Sequence, residues 1–175
     1  KEVVGNDVPR IDYTDRADGV LLLENSATNL INYSEDATNW STQSSSVLVT
    51  SNQAISPDGK LNADKLIPAS GNVTSNGGRY VSFSSTASTD YSVSVFVKQA
   101  EYRYVTFSYG SSAAYGFHFD LQDGVIVQEL SNNQYTSISR EVESFSNGWY
   151  RLKISLTDTL SVGARFIGVR PANEL

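Results

Sequence analysis

The stretch Tyr91-Ser92-Val93-Ser94-Val95-Phe96-Val97-Lys98 carries an apolar side chain at every odd position, with two serines, a phenylalanine and a lysine at the even positions. Successive side chains of a β-strand point to opposite faces of the sheet. This period of two therefore predicts a strand whose odd-numbered residues lie in the core. The even-numbered residues, Phe96 and Lys98 among them, are expected on the outer face.

Segments with the same period of two follow in the second half of the chain, separated by short polar turns. Asp123-Gly124 is a strong hairpin signal, because glycine accepts the positive φ that a tight turn requires. A series of short strands joined in this way is typical of a β-sandwich or a β-barrel. The predicted strands cover Tyr102–Tyr109, Ala114–Asp120, Val125–Leu130, Tyr135–Val142, Gly148–Thr157 and Val162–Val169.

The first half of the chain has a less regular pattern. A helical turn is predicted at Ser34–Asn39 with Ser34 as its N-cap, and Trp40 after it is predicted to lie in the core. Residues 1–16 lack periodicity and are predicted to form an arm that packs on the sandwich or on a neighbouring subunit. The remaining predictions are strands at Val20–Glu24, Val47–Thr50 and Ala63–Ile67, a turn at Pro57-Asp58-Gly59, and polar loops at Ser70–Gly78 and Ser84–Thr89.

The composition of this 175-residue chain excludes several classes of function. Its length suits a single domain over residues 1–175. The net charge of −6 argues against nucleic acid as a partner, because phosphates require a dense basic surface. The absence of cysteine excludes disulfides and thiolate metal sites, and no apolar run has membrane-spanning length. Because the chain begins at Lys1 and lacks methionine, we expect a fragment or a processed product.

Few residues indicate catalysis. The single histidine, His118, is either a base or sugar hydrogen-bonding group, or a partly exposed strand residue without such a role. No motif of a zinc protease, serine hydrolase or nucleotide-binding enzyme is present. The acidic pairs Glu35-Asp36 and Glu141/Glu143 are interpreted as solvated surface, although a hydrolase's two carboxylates need not be close in sequence. We therefore expect a protein that is not an enzyme.

Side-chain alternation also predicts an outer surface. If the even-numbered residues 150–156 face the core, Trp149, Arg151 and Lys153 must face outward. On the strand at 102–109, core positions at 105, 107 and 109 leave Tyr102 and Tyr104 on the outer face. On the next strand, core positions at 115, 117 and 119 leave His118 on the outer face. On the assumption that these strands share one sheet, its outer face carries the candidate ligand-binding residues Phe96, Lys98, Tyr102, Tyr104, His118, Trp149, Arg151 and Lys153.

Aromatic rings beside cationic donors are typical of a sugar-binding surface. The rings cover the apolar faces of sugars, while lysine and arginine bind hydroxyls, carboxylates or sulfates. The alternative is that the arm or a subunit contact covers the rings. We expect Trp149 to stack on a sugar near Tyr102 or Tyr104, so that its replacement by alanine weakens binding and leaves stability nearly unchanged. The two lysines and one arginine favour an anionic polysaccharide over a neutral one.

Five segments, which lie between residues 8 and 154 and so span most of the chain, occur in the order and spacing of a known family. They are Val8–Thr14 (VPRIDYT), Val20–Glu24 (VLLLE), Ala27–Trp40 (ATNLINYSEDATNW), Ile55–Leu66 (ISPDGKLNADKL) and Asn147–Ile154 (NGWYRLKI). In these segments the chain resembles a family of domains from bacteriophage tail and head-spike fibre proteins and from secreted bacterial proteins that handle polysaccharides. It departs from the family at Arg165–Pro171, where members usually have a Trp-Gly-Ala-Gln-like segment.

The resemblance implies a single-domain, antiparallel jelly-roll β-sandwich similar to carbohydrate-binding modules, with no catalytic apparatus. It implies a non-catalytic polysaccharide-binding domain of a phage adhesin or a secreted polysaccharide-degrading protein, and hence an extracellular or virion-surface location. The alternative is a structural fibre or spike domain with homo-oligomeric contacts in a virion; a small glycan lyase or hydrolase is the third interpretation. No cofactor is required. Jelly rolls of this kind often hold a structural calcium ion, to which the sequence assigns no ligands.

Overall fold

A computed structural model describes residues 11–12, 20–21, 28–44, 47–68, 77–110, 115–131 and 135–172. The chain divides into two compact units, residues 1–30 and residues 31–175. In the first unit, strand β1 (Ile11–Asp12) pairs antiparallel with β2 (Val20–Leu21). The rest of the predicted arm and of the predicted strand at 20–24 lies outside the described residues.

The second unit is built almost entirely from antiparallel strands. A six-stranded sheet has the order β10-β9-β8-β13-β6-β3, a three-stranded sheet has the order β11-β12-β7, and β4 and β5 form a hairpin. The strands are β3 (Ser41–Ser44), β4 (Val47–Ile55), β5 (Leu61–Pro68), β6 (Gly77–Ser85), β7 (Thr89–Lys98), β8 (Tyr104–Gly110), β9 (Tyr115–Asp120), β10 (Val125–Leu130), β11 (Tyr135–Ser144), β12 (Trp149–Asp158) and β13 (Gly163–Ala172).

The hydrophobic core lies between the six-stranded and three-stranded sheets. Phe107 and Phe117 of the six-stranded sheet and Leu152 and Ile154 of the three-stranded sheet are completely buried in one cluster. These residues occupy the positions that alternation assigns to the core. The expected all-β, antiparallel sandwich is therefore confirmed, whereas the jelly-roll connectivity stays a prediction.

The sequence pattern does not predict two strands of the six-stranded sheet, β3 and β6. The β6 sequence begins with a glycine pair and continues with several serines, which resembles a loop. The predicted loop at 84–89 is correspondingly too long, because β6 extends to Ser85 and β7 begins at Thr89. These two strands form because β6 pairs with β13 along Arg79–Ser85, a long-range contact that no local pattern reveals.

A short 3₁₀ helix, Ala37–Asn39, occupies the predicted helical turn. Its N-cap is Asp36, whose carboxylate accepts the Thr38 backbone N–H at 3.0 Å, so the prediction of Ser34 as the cap is wrong. Trp40 is partly buried against the core cluster and donates its indole N–H to the Tyr33 carbonyl. Within the described residues, no helix is long and apolar enough to cross a membrane.

A buried ion pair joins the two sheets. Arg165 of β13 donates to both carboxylate oxygens of Asp158, at the end of β12, over 2.6 and 3.1 Å. The same carboxylate accepts the Tyr109 hydroxyl of β8 at 3.0 Å and the Leu160 backbone N–H at 3.0 Å. Asp158 is completely buried, so these donors replace the water that its charge loses on folding.

The donors around Asp158 also determine its protonation. Burial alone would raise its pKa, but the hydrogen bonds from Arg165, Leu160 and Tyr109 outweigh burial and hold the pKa below the ordinary value of 3.8. Burial and the nearby negative charge raise the pKa of Tyr109. A carboxyl group with a lowered folded-state pKa stabilises the protein above its unfolded-state pKa, and this contribution is lost as the pH falls through the folded pKa.

Replacing Asp158 by asparagine is expected to lower the free energy of unfolding by about 3–5 kcal/mol at neutral pH, because Arg165 would remain buried without its counter-ion. Urea unfolding measures this change. Repeating the measurement below about pH 4 should show a smaller difference between the variant and the parent protein, because the parent loses this contribution in acid. The control is E101Q, which removes an exposed pair with Lys65 and should leave the free energy of unfolding nearly unchanged. An equal cost for both variants would contradict the role of the buried pair.

Candidate functional site

Five of the eight predicted binding residues lie on one surface, the outer face of the three-stranded sheet. β7 and β12 pair in a register that places Lys98 opposite Trp149 and Phe96 opposite Arg151. The alternate residues of β12, including Leu152 and Ile154, are buried in the core, so the others point away from it. The five residues are Phe96, Lys98, Trp149, Arg151 and Lys153.

The assumption that all the candidate strands share one sheet is wrong. β7 pairs with β12, whereas β8 pairs with β9 and β13 in the other sheet. Tyr104 and His118 therefore face outward on the opposite side of the sandwich, and Tyr102 lies in the connection before β8. The chain crosses from one sheet to the other at residues 99–103. Alternation shows which way the side chains of a strand point, but it does not show which strand lies beside it. The binding roles of these three residues stay predictions.

The aromatic end of the outer face consists of two phenylalanine rings. Phe96 is 42% exposed and Phe145 is 40% exposed. Their ring centroids are 5.1 Å apart in an edge-to-face arrangement. Phe145 follows β11, and its backbone N–H donates to the Trp149 carbonyl at 2.8 Å, which continues the pairing of β11 with β12. Sequence reasoning missed Phe145 because it sits in a polar turn; an apolar ring between two serines was the available signal.

Trp149 points to the outer face, as alternation predicts, but its ring is not available for stacking. Only 8% of the residue is exposed. Its indole N–H donates to the backbone carbonyl of Ile55, at the end of β4, over 3.0 Å. The β4–β5 hairpin thus lies against the tryptophan. The expectation that Trp149 offers a sugar-stacking surface is corrected accordingly: the exposed rings beside it, Phe96 and Phe145, are the ones that a ligand can reach.

The three cations of the face differ in their partners. Lys153 donates to both carboxylate oxygens of Glu141, at 3.1 and 3.3 Å. Arg151 has only an ionic contact of 3.6 Å with Glu143, beyond hydrogen-bonding distance, and its Nε is buried without a hydrogen-bond partner among the described residues. The Arg151 guanidinium lies 5.9 Å from the centroid of the Phe96 ring. Lys98 is exposed and makes no ion pair within the described part of the chain.

The far end of the same face is lined by hydroxyl groups. Ser155 donates to Ser92 at 3.1 Å, and Thr157 donates to Asp90 at 2.6 Å. Along β12 from Trp149 to Thr157 the face extends about 25 Å, at roughly 3.3 Å per residue. A linear ligand lying along the strand would meet aromatic rings first, then the charged residues, then hydroxyls.

The opposite outer face, on the six-stranded sheet, is more enclosed. His118 is half-buried, and its Nδ1 lies 2.7 Å from the hydroxyl of Thr106, which is buried. Burial, and to a smaller degree the positive charge of Arg170, lowers the pKa of His118. The side chain of Arg170 lies across Gly78, where a Cβ would come within 2.2 Å of its Cγ.

The acidic pairs have no geometry that points to hydrolysis. Glu141 is hydrogen-bonded by Lys153, and this bond lowers its pKa against the opposing effect of burial. A general acid needs a raised pKa instead. Asp36 caps the 3₁₀ helix, and its pKa is lowered by the hydrogen bonds from Thr38 and Asn39.

A protein metal site usually requires several acidic, histidine or cysteine side chains close together. No group of three or more His, Cys, Asp or Glu side chains could hold a metal ion in the described ranges. The described acidic and histidine side chains thus form no metal-binding cluster of this size by themselves, and the structural calcium ion stays a prediction from the resemblance.

Comparison with known proteins gives no family. No protein-family model matches the chain, and no curated protein matches it either. The resemblance in the five sequence segments therefore stays a prediction. The function of the outer face rests on its own geometry.

Replacing Trp149 by alanine is expected to lower the free energy of unfolding by about 3–5 kcal/mol, because a cavity would open between β12 and the hairpin. Replacing it by phenylalanine removes the hydrogen bond to the Ile55 carbonyl, which costs about 1 kcal/mol. The smaller phenyl ring also loses some packing, which adds to this cost. Thermal or urea unfolding measures both. An unchanged melting temperature for W149A would restore the original expectation of an exposed tryptophan.

Proposed function

We propose that this protein is a non-catalytic glycan-binding domain, and that the outer face of the three-stranded sheet binds the polysaccharide. The observation that carries the proposal is the pair of exposed rings, Phe96 and Phe145, beside the guanidinium of Arg151. The hydroxyl-lined end of the same face extends the surface along β12.

Sugars need two kinds of contact, and this face supplies both. The C–H groups of a sugar ring pack on the faces of aromatic rings, which carry a partial negative charge. Two phenylalanines that are each about 40% exposed leave ring surface for such packing. Sugar hydroxyls require polar partners, which the arginine, Lys98 and the serine hydroxyls provide. A face formed by neighbouring strands suits a polymer that lies along the surface rather than a small molecule that is enclosed.

The non-catalytic part of the proposal rests on the titratable groups of the site. The two glutamates on the face are paired with cations, and the histidine lies on the other sheet. A glycan lyase or hydrolase would need a base or a raised carboxyl pKa beside the bound sugar. Together with the family resemblance, this supports a binding domain of a phage adhesin or of a secreted polysaccharide-degrading protein, in an extracellular or virion-surface location.

A structural fibre or spike domain is the second candidate function. The β4–β5 hairpin exposes Leu48, Ile55 and Leu61, each about 60%. Ile55 lies next to Trp149, so apolar surface continues from the aromatic end onto the hairpin. Continuous apolar surface of this kind also suits contacts between subunits. Solution mass separates the two functions: we expect a monomer, and an obligate trimer would favour the structural function.

Replacing Phe96 or Phe145 by alanine is expected to weaken glycan binding by about threefold to tenfold each, since one aromatic contact contributes about 1 kcal/mol. The rings are partly exposed, so stability should change little. A glycan array identifies the polymer, and affinity electrophoresis on it measures the change.

The matched control is V162A, which trims a 70% exposed side chain beyond the opposite end of β12. It should leave binding unchanged. Full binding by the F96A/F145A double variant would remove this face as the binding site. New reducing ends or unsaturated products on incubation with the bound polymer would overturn the non-catalytic part of the proposal.

A further inference from the structure

We infer that Arg151 is the specificity-determining residue of this face and that the ligand is an acidic polysaccharide, whose oxyanion is bound by the Arg151 guanidinium. The oxyanion is a uronate carboxylate or a sulfate ester, since both present paired oxygens to the guanidinium fork. The inference rests on the proposed glycan-binding function and adds the chemical class of the ligand.

The first observation is the difference between two cations on the same strand. Lys153 forms an ion pair with Glu141 through two hydrogen bonds. The side chain of Arg151, two residues earlier, makes no hydrogen bond within the described part of the chain, and its ionic contact with Glu143 is 3.6 Å long. Its Nε is buried and unpartnered there. The buried Nε is out of a ligand's reach, so the other guanidinium nitrogens, on a side chain that is 38% exposed, are the donors for an incoming oxyanion.

The second observation is the position of the guanidinium. It lies 5.9 Å from the Phe96 ring centroid, within the range of a cation–π contact. Phe96 in turn packs edge-to-face on Phe145. The rings therefore hold the arginine in place and exclude water from one side of it. A sugar ring on the phenylalanines would carry its acidic substituent directly towards Arg151.

The third observation is the local charge. The chain as a whole carries −6. The outer face carries Lys98, Arg151 and Lys153 against Asp90, Glu141 and Glu143, so its charges cancel overall, and one excess positive charge remains at the aromatic end, where Lys98 and Arg151 face Glu143. Of these cations, Lys98 and Arg151 lie at the aromatic end, in neighbouring rows of the sheet. An acidic protein with a locally positive aromatic end favours an anion at that end.

The experiment compares polymers that differ only in charge. Affinity electrophoresis of the whole chain uses polygalacturonate against its carboxyl-reduced form, and dextran sulfate against dextran. Binding is expected to polygalacturonate or to dextran sulfate, and to weaken with rising salt; which of the two binds identifies the oxyanion. Equal binding to the neutral member of a pair would overturn the inference and leave the proposed glycan-binding function standing.

Three variants assign the anion to its residue. R151Q is expected to weaken binding of the acidic polymer by about 10- to 100-fold, as expected when charged hydrogen bonds are lost. K153Q, which removes a charge of the same sign from the same strand, should weaken binding less than R151Q, because Glu141 already pairs with Lys153. E143Q should strengthen it, because it removes the carboxylate that lies 3.6 Å from the guanidinium.

Two further outcomes separate a failure of the Arg151 assignment from a failure of the proposed glycan-binding function. Equal effects of R151Q and K153Q would show that the face attracts anions only by its total charge, and would overturn the role of Arg151. Failure of all four polymers to bind, together with no binding on a glycan array, would overturn the proposed function itself. Unfolding curves of each variant confirm that the losses are not losses of folding.

Discussion

The aromatic rings of β8 and β9 pack on the aliphatic side chains of β12, and this packing sets the direction of the side chains on both faces of the sandwich. Phe107, Phe117 and Phe119 are completely buried against Leu152 and Ile154. Because side chains alternate along a strand, burying these residues determines which neighbours face away from the core. The two outer faces of the sandwich, and with them the candidate site, are consequences of this packing.

The ends of the sandwich are held by polar groups rather than by more apolar surface. Asp158 and Arg165 connect β12 to β13 deep in the core, and Tyr109 joins the same carboxylate. At the opposite end of β12, Trp149 holds the β4–β5 hairpin through one hydrogen bond to Ile55. β12 therefore carries an anchoring residue at each end of a continuous strand, and the residues between them present a regular face.

The candidate site combines packing and recognition on that face. Trp149 supports the aromatic end from below the surface, and the exposed rings of Phe96 and Phe145 form the contact area. Lys153 is neutralised by Glu141, so the exposed charge is concentrated on Arg151 and Lys98. The proposed binding of an acidic polymer by a protein of net negative charge rests on these two cations.

The amino-acid sequence by itself determined the strands of the second half of the chain and the direction of their side chains. Regular alternation placed Phe107, Leu152 and Ile154 in the core and Phe96 and Arg151 outside it, because this property depends only on local geometry. Tertiary structure alone decided which strands lie side by side. β7 joins β12 and not β8, which separates Phe96 from Tyr104 and His118, and the hairpin covers Trp149. Strand partners and covering segments are set by contacts between residues far apart in the chain, and no period in the sequence records them.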